Sequence, residues 1–266
     1  NMTPQPNNYR DFYSTGKQLS NTLAFSGGNE KAQTYFAYTR VDATGIIDNN
    51  ELVRNNLNLR ITGKVSPKLS YDSKVTYLKQ DINNRQYTGE AYQNNQRHIL
   101  RIPRNISLEQ AMKYDYVDPS TGKLRQNYWN PGSNGGENPF WTKNRVISDD
   151  VRDRVMGFGS LTYQVTPALS LMGRAGIDKT IDAFEGKWYN DTYTIADFGN
   201  YQTENRDVTE TNFDFIGIFK KNILEELTVD ATFGASLQHV DRTFRSTNAG
   251  GLNRDNLFIP SNGRGP

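Results

Sequence analysis

One stretch of the sequence constrains the fold more than any other: NNLNLRITGKVSPKLSYDSKVTYLKQ, residues 55–80. Apolar and polar side chains alternate on both sides of a short Ser-Pro-Lys turn at 66–68, with Leu57, Leu59 and Ile61 facing one way before it. Alternation with a period of two indicates a β-strand with one apolar face, and a strand does not continue through proline. The stretch therefore predicts a β-hairpin.

The same pattern recurs elsewhere in the chain. Residues 155–178 repeat it around a Thr-Pro-Ala turn, and residues 212–238 repeat it around the segment that precedes Leu227. A weaker copy surrounds a Gly-Gly-Asn turn at 27–29, and its apolar positions are Leu23 and Phe25 before the turn and Tyr35, Ala37 and Val41 after it. The sequence thus predicts eight strands in four hairpins.

The connections between the hairpins are much longer than the turns within them, with predicted loops at 81–153 and 179–208. Only 35% of the residues are hydrophobic and the mean hydropathy is −0.77, which is low for a compact soluble domain. Strands of nine to eleven residues with short turns at one end and long loops at the other are typical of transmembrane β-barrels. We therefore expect an all-β fold, an antiparallel transmembrane β-barrel with long extracellular loops.

Two other architectures fit the alternation. A soluble sandwich, acting as a secreted or surface-exposed glycan- or peptide-binding module, also has one apolar and one polar face, although a loop of about 70 residues is unusual in a compact domain. Eight strands can also close into a complete small barrel with a filled interior. In the larger barrel, the polar face lines a water-filled lumen, where we expect ion pairs among Arg60, Asp72, Lys74, Arg174, Asp214 and Asp230.

Composition argues against several functions. The 31 basic and 29 acidic residues are interspersed, so no charged surface for nucleic acid is expected. The chain has no cysteine, and its two histidines, His98 and His239, are far apart, so we expect no metal site, no cofactor and no enzymatic activity. The least favoured alternative is a hydrolase that uses His239 beside Asp241.

Aromatic residues in the loops are the candidate substrate contacts. Aromatic faces with amide neighbours suit sugar rings or peptide backbones, and the alternatives are packing within the loops or an interfacial girdle. Residues 106–118 also predict a short amphipathic helix capped by Ser107, with Gln110 three residues later. The candidate substrate-binding residues are Tyr128, Trp129, Trp141, Trp188 and Tyr189.

Residues 9–71 resemble the opening of the barrel in SusC/RagA-like TonB-dependent transporters of Bacteroidetes. The resemblance is carried by YRDF at 9–12, the SGGNE turn at 26–30, YFAY at 35–38, the segment GII at 45–47 and the strand start at 54–59. It implies a barrel of 22 strands with an N-terminal plug in the outer membrane of a Gram-negative bacterium. It further implies TonB-driven import of oligosaccharides or oligopeptides together with a SusD-like surface lipoprotein.

The resemblance also implies a division of the chain. Residues 1–16 form a lead-in, and residues 17–266 form part of a barrel, because eight strands fall far short of 22. We therefore expect a segment from the first half of the barrel, within a longer polypeptide that supplies the plug and the contact with TonB.

Overall fold

The computed structural model describes residues 3–131 and 136–265, and its main feature is one antiparallel sheet of eight strands. Each strand of the sheet pairs with the next one along the chain, so β1 and β10 form the two edges. The strands are β1 (Lys17–Gly28), β2 (Ala32–Thr44), β3 (Glu51–Ser66), β4 (Leu69–Asn83), β7 (Val146–Thr166), β8 (Leu169–Thr192), β9 (Ala196–Leu224) and β10 (Leu227–Asn248).

The described part of the connection between β4 and β7 is a folded body, which we call the loop body (residues 84–131 and 136–145). A capping box fixes the start of its second helix, because Ser107 and Gln110 bond each other's backbone N–H groups as the sequence predicts. The helix ends at Met112, well before the predicted end at 118. The elements of the loop body are α1 (Asn95–Ile99), α2 (Leu108–Met112), β5 (Asp115–Val117), β6 (Leu124–Gln126) and α3 (Pro139–Arg145).

Two of the tight turns are built alike. Ser66 Oγ accepts hydrogen bonds from the backbone N–H groups of Lys68 and Leu69, at 3.3 and 3.1 Å. Thr166 Oγ1 accepts the equivalent bonds from Ala168 and Leu169 at the same distances. A hydroxyl that satisfies the turn amides, followed by proline, explains why both hairpins reverse within two residues.

The register of the first hairpin corrects one prediction. Leu23 lies opposite Tyr38 and Phe25 opposite Phe36, so Tyr35, Ala37 and Val41 lie on the other face of the sheet. Each odd-numbered residue of β1 lies opposite an even-numbered residue of β2. This register is set by the turn between Gly28 and Ala32, where Asn29 Oδ1 accepts hydrogen bonds from the backbone N–H groups of Lys31 and Ala32. A shift by one residue moves every side chain of the strand to the opposite face.

The predicted loop at 179–208 is wrong, because β8 and β9 continue through it and turn only at 193–195. The alternation fades there because both faces become polar, while the backbone pairing of β8 with β9 continues and a cross-strand ion pair between Lys179 and Asp207 supports it. We call the end of this hairpin, residues 189–196, the hairpin tip. At the other end of the chain, β1 begins at Lys17, where the lead-in was expected to end.

Most of the best-buried side chains of the described residues lie at the loop end of the sheet, in the loops and in the strand ends next to them. One cluster joins Phe12 and Ile47 to Ile99, Ile102 and Phe140 of the loop body. A second cluster packs Trp141 and Val146 against Trp188 and Ala196. The helices of the described chain are at most seven residues long, and none of them could span a bilayer.

Candidate functional site

The two faces of the sheet differ sharply in chemistry. One face, which we call the apolar face, presents large hydrophobic side chains that are about half exposed, and it continues across all eight strands. In register across the sheet, rows such as Phe36, Leu59 and Val75 run from strand to strand. The exposed members of this face include Leu19, Leu23, Phe25, Leu57, Leu59, Val65, Val75, Val155, Leu161, Tyr163, Ile177, Phe213, Phe215, Phe233 and Leu237.

Tyrosines mark the edge of the apolar face nearest the loops. Tyr38 donates a hydrogen bond to Asn55 Oδ1, and Tyr77 donates one to Asp153 Oδ1, both at 2.6 Å and both directed toward the loop end of the sheet. Beyond this row the same face becomes charged. On β3 the apolar stretch from Leu57 to Val65 has a length of about 26 Å, at about 3.3 Å per residue. This length, with amphipathic rings at the margin, matches the requirement for a lipid-facing band.

The opposite face, which we call the polar face, carries the charged residues that were predicted to line a lumen. Arg60 donates two hydrogen bonds to the carboxylate of Asp72, of 3.0 and 2.7 Å. Arg174 Nε lies 2.8 Å from Asp214 Oδ2. Asp230 pairs at 3.6 Å with Lys220. All six predicted residues share one face, and five of them form ion pairs. The sixth, Lys74, lies opposite Arg60 on β3 and Phe158 on β7.

A cleft of about 560 Å³ lies on the polar face at the loop end of the sheet. Residues of β4, β7, β8, β9 and β10 line the cleft, together with residues from the start of the loop body. Aromatic, amide and charged side chains all contribute. The principal lining residues are Arg85, Tyr87, Gln93, Asp150, Arg152, Asp182, Phe184, Trp188, Glu204, Arg206 and Phe244.

Part of the charge in the cleft is neutralised internally. Arg152 holds Asp182 through two hydrogen bonds of 2.6 and 2.9 Å, and this geometry is that of a strong guanidinium–carboxylate pair. Arg85 Nε lies 3.0 Å from Asp150 Oδ2, an ion-pair distance without hydrogen-bond alignment. Among the described residues, Glu204 and Arg206 form no ion pair, although both line the cleft.

The five loop aromatics proposed as substrate contacts are mostly packed inside the protein. Trp141 is fully buried, Tyr128 and Trp188 are 9% exposed, and Trp129 and Tyr189 are half-buried against the two clusters. Trp188 is the only one of the five that lines the cleft. Packing within the loops, the alternative left open by the sequence, describes Tyr128, Trp129 and Trp141 in this structure.

The buried aromatics help to fasten the loop body to the hairpin tip. Trp141 Nε1 donates to Thr192 Oγ1 at 2.9 Å. Asp191 accepts from the backbone N–H of Gln126 at 2.6 Å and from Arg125 Nη1 at 2.9 Å. These contacts join residues 51 to 66 positions apart in sequence, so they hold the loop body and the hairpin tip together.

Two buried titratable side chains lie at this junction. Glu137, 1% exposed, accepts hydrogen bonds from the backbone N–H and the hydroxyl of Thr194, and its own N–H donates to His98 Nδ1 at 3.2 Å. Burial raises the pKa of Glu137 to about 7. Burial lowers the pKa of His98 to about 4, and His98 Nε2 donates to the carbonyl of Tyr92 at 2.6 Å. Both side chains are thus stabilised in their neutral forms.

The hydrolase alternative rests on His239 and Asp241. His239 is an exposed residue of the edge strand β10, and its ring contacts Asp241 Oδ2 at 3.1 Å. Within residues 3–131 and 136–265, no three side chains of His, Asp and Glu are grouped so that they could hold a metal ion.

The cleft is the part of the site that sequence reasoning missed. Arg152 and Asp182 were assigned to the two predicted loops, and Glu204 and Arg206 to the second of them. Five of the six residues at 149–154 are charged, so the charged positions have no strand period that could have indicated the cleft. Nothing in the sequence indicates that Tyr87 and Gln93 line a cleft together with residues of these strands.

The fold is thus an open antiparallel sheet with one apolar and one polar face and with folded loops at one end. Solved structures with this fold include a RagAB peptide importer in a closed-closed state, with 17% identity and a TM-score of 0.70. A RagAB peptide transporter (15%, TM-score 0.72) and the importer in an open-open state (16%, TM-score 0.71) are equally similar. Each alignment covers 97% of this chain and 28% of the other chain.

The chain therefore spans less than a third of the proteins it is similar to in fold. No protein-family model matches the sequence, and no curated protein matches it either. At this level of identity the similarity establishes the fold alone.

Proposed function

We propose that this chain is a segment of the wall of an outer-membrane β-barrel importer. The observation that carries the proposal is the apolar face, which is exposed across all eight strands, bounded by tyrosines at its loop end and backed by a polar face. A soluble protein that left so large an apolar surface in water would associate or aggregate. The edges β1 and β10 are completed by further strands of the same polypeptide.

We further propose that the importer is energised through TonB and works with a SusD-like surface lipoprotein. The support is the sequence resemblance over residues 9–71 together with the similarity in fold to part of RagAB. Peptides are the favoured cargo because the neighbours in fold are a peptide importer and a peptide transporter, and because the cleft is rich in charges of both signs. Oligosaccharides are the alternative cargo. The protein's work is binding and release, without bond cleavage.

The test is the state of the native polypeptide in its own cells. We expect it in the outer-membrane fraction, soluble only with detergent, with an intact mass several times the 30.2 kDa of this segment and with a lipoprotein that co-purifies. A soluble polypeptide of about 30 kDa would overturn the proposal and favour the surface binding module.

A further inference from the structure

We infer that the cleft on the polar face is a binding site for a small ligand that carries both an ammonium and a carboxylate group, as a free amino acid or a short peptide does. Glu204 would bind the ammonium and Arg206 the carboxylate. The inference rests on the proposed function, because it refines the cargo that enters at the loop end of the sheet.

The first step of the argument is the position of the two side chains. Glu204 and Arg206 are separated by one residue on β9, so both project from the polar face, with their Cα atoms about 6.6 Å apart at about 3.3 Å per residue. Both line the cleft. Two long side chains with Cα atoms at this spacing can reach an ammonium and a carboxylate that lie up to about 10 Å apart, as at the ends of an extended tripeptide at about 3.3–3.6 Å per residue.

The second step is whether neighbouring side chains already pair with Glu204 and Arg206. In the register, Arg206 faces Asp182 of β8, but Arg152 already holds both oxygens of that carboxylate. On its other side Arg206 faces Phe244, whose ring centre lies 5.8 Å from the guanidinium carbon. Glu204 faces Phe184 and Ser246, and one of its oxygens accepts a hydrogen bond of 2.6 Å from Gln202. Within the described chain, both charges are therefore available to a ligand.

The third step is the local environment of Glu204 and Arg206. Phe184, Trp188, Phe244 and Tyr87 line the same cleft, and the loop body forms a roof over part of it. Aromatic walls lower the local dielectric and strengthen charge-assisted hydrogen bonds to a bound ligand. A neutral sugar would leave both charges without partners, and this would cost binding energy.

The experiment uses the full native polypeptide, purified in detergent with any co-purifying partner, and measures binding by calorimetry. The probes are triglycine, N-acetyltriglycine without the ammonium, triglycine amide without the carboxylate, glycine, and the neutral sugar maltotriose. We expect triglycine to bind about tenfold or more tightly than either blocked form and than maltotriose. The affinity of glycine relative to triglycine shows whether a free amino acid or a peptide is the better ligand.

Variants assign the two contacts. Arg206→Gln should abolish the preference for triglycine over triglycine amide, and Glu204→Gln should abolish the preference over N-acetyltriglycine. The matched controls, Arg242→Gln and Glu210→Gln, change the same residue types on the same face outside the cleft, and they should leave both preferences unchanged.

Three results would overturn the inference: no measurable binding of triglycine and glycine, equal binding of blocked and unblocked probes, or an equal effect of the control variants. Each of them can occur in a protein that is located in the outer membrane with a lipoprotein partner. The proposed function would therefore survive such a result, and its own failure would be seen separately in the fractionation. The ligand comparison on the unmodified polypeptide decides the matter even if a variant fails to fold.

Discussion

Tyr77 and Asp153 meet across the pairing of β4 with β7, where the tyrosine hydroxyl donates a 2.6 Å hydrogen bond to the carboxylate. Tyr38 makes the same kind of contact with Asn55 on the neighbouring pair of strands. Each ring lies on the apolar face while its hydroxyl reaches the first polar side chain toward the loops. In the proposed barrel wall, this row of tyrosines lies at the boundary between the lipid and the aqueous loop end.

The first prediction concerns this row. Tyr77→Phe in the full polypeptide should lower the free energy of unfolding in lipid by about 1 kcal/mol, because a hydrogen bond to a carboxylate is lost at the membrane boundary. Tyr163→Phe is the control, since Tyr163 lies on the same face near the tight turn. Unfolding in urea measures both. Equal effects would contradict the role of the Tyr77 hydroxyl.

The second prediction separates the two faces of β3. Leu59→Arg should destabilise the protein by about 2–4 kcal/mol, because the charge would enter the lipid near the middle of the band. Asn58→Arg should cost much less, because Asn58 lies on the polar face, where it accepts a 2.8 Å hydrogen bond from Thr76. The same unfolding measurement compares them, and similar losses would show that the faces are assigned wrongly.

The third prediction concerns Trp141. Trp141→Ala should destabilise the loop body by about 3–5 kcal/mol, because it removes a fully buried ring and the hydrogen bond to Thr192. Trp129→Ala, which removes a half-buried ring of the same size, should cost clearly less. Hydrogen exchange of the amides in α3 reports this local stability. A larger effect from Trp129 would mean that the loop body is fastened elsewhere.

The fourth prediction is a pH dependence at the junction of Glu137 and His98. The raised pKa of Glu137, about 7, means that its stabilising contribution is complete below about pH 4.5 and declines as the pH rises toward 7. The lowered pKa of His98, about 4, means that its contribution is complete above about pH 6.5 and declines as the pH falls toward 4. Between pH 4.5 and 6.5 the two changes have opposite sign.

The local stability of the hairpin tip should therefore vary little over that interval in the unmodified protein. In Glu137→Gln only the pH dependence from His98 remains, so the local stability should rise from pH 4 to 6.5 and then stay constant. In His98→Gln only the carboxyl group remains, so stability should fall from pH 4.5 to 7. Hydrogen exchange around Thr194, corrected for the intrinsic exchange rate, tests this, and parallel profiles in all three proteins would contradict it.

The alternation of 55–80, 155–178 and 212–238 was sufficient to predict three of the hairpins and their faces, because side-chain period and burial are linked directly in a sheet. It failed for β2, because the parity of Tyr35 and Ala37 depends on the length of the turn before them. It failed again at 179–208, because a strand that is polar on both faces has no hydrophobic period. The cleft could not be predicted, since its roof depends on where Tyr87 and Gln93 lie in space.

The central claim, that the apolar face contacts lipid, is tested most directly by spin labels placed one at a time along residues 56–65 of the full polypeptide in lipid bilayers. The measurement is the accessibility of each label to oxygen, which concentrates in lipid, and to a water-soluble nickel complex. The account predicts that labels at 57, 59 and 61 favour oxygen, and that labels at 56, 58 and 60 favour the nickel complex. Uniform access of the nickel complex to all positions would contradict it.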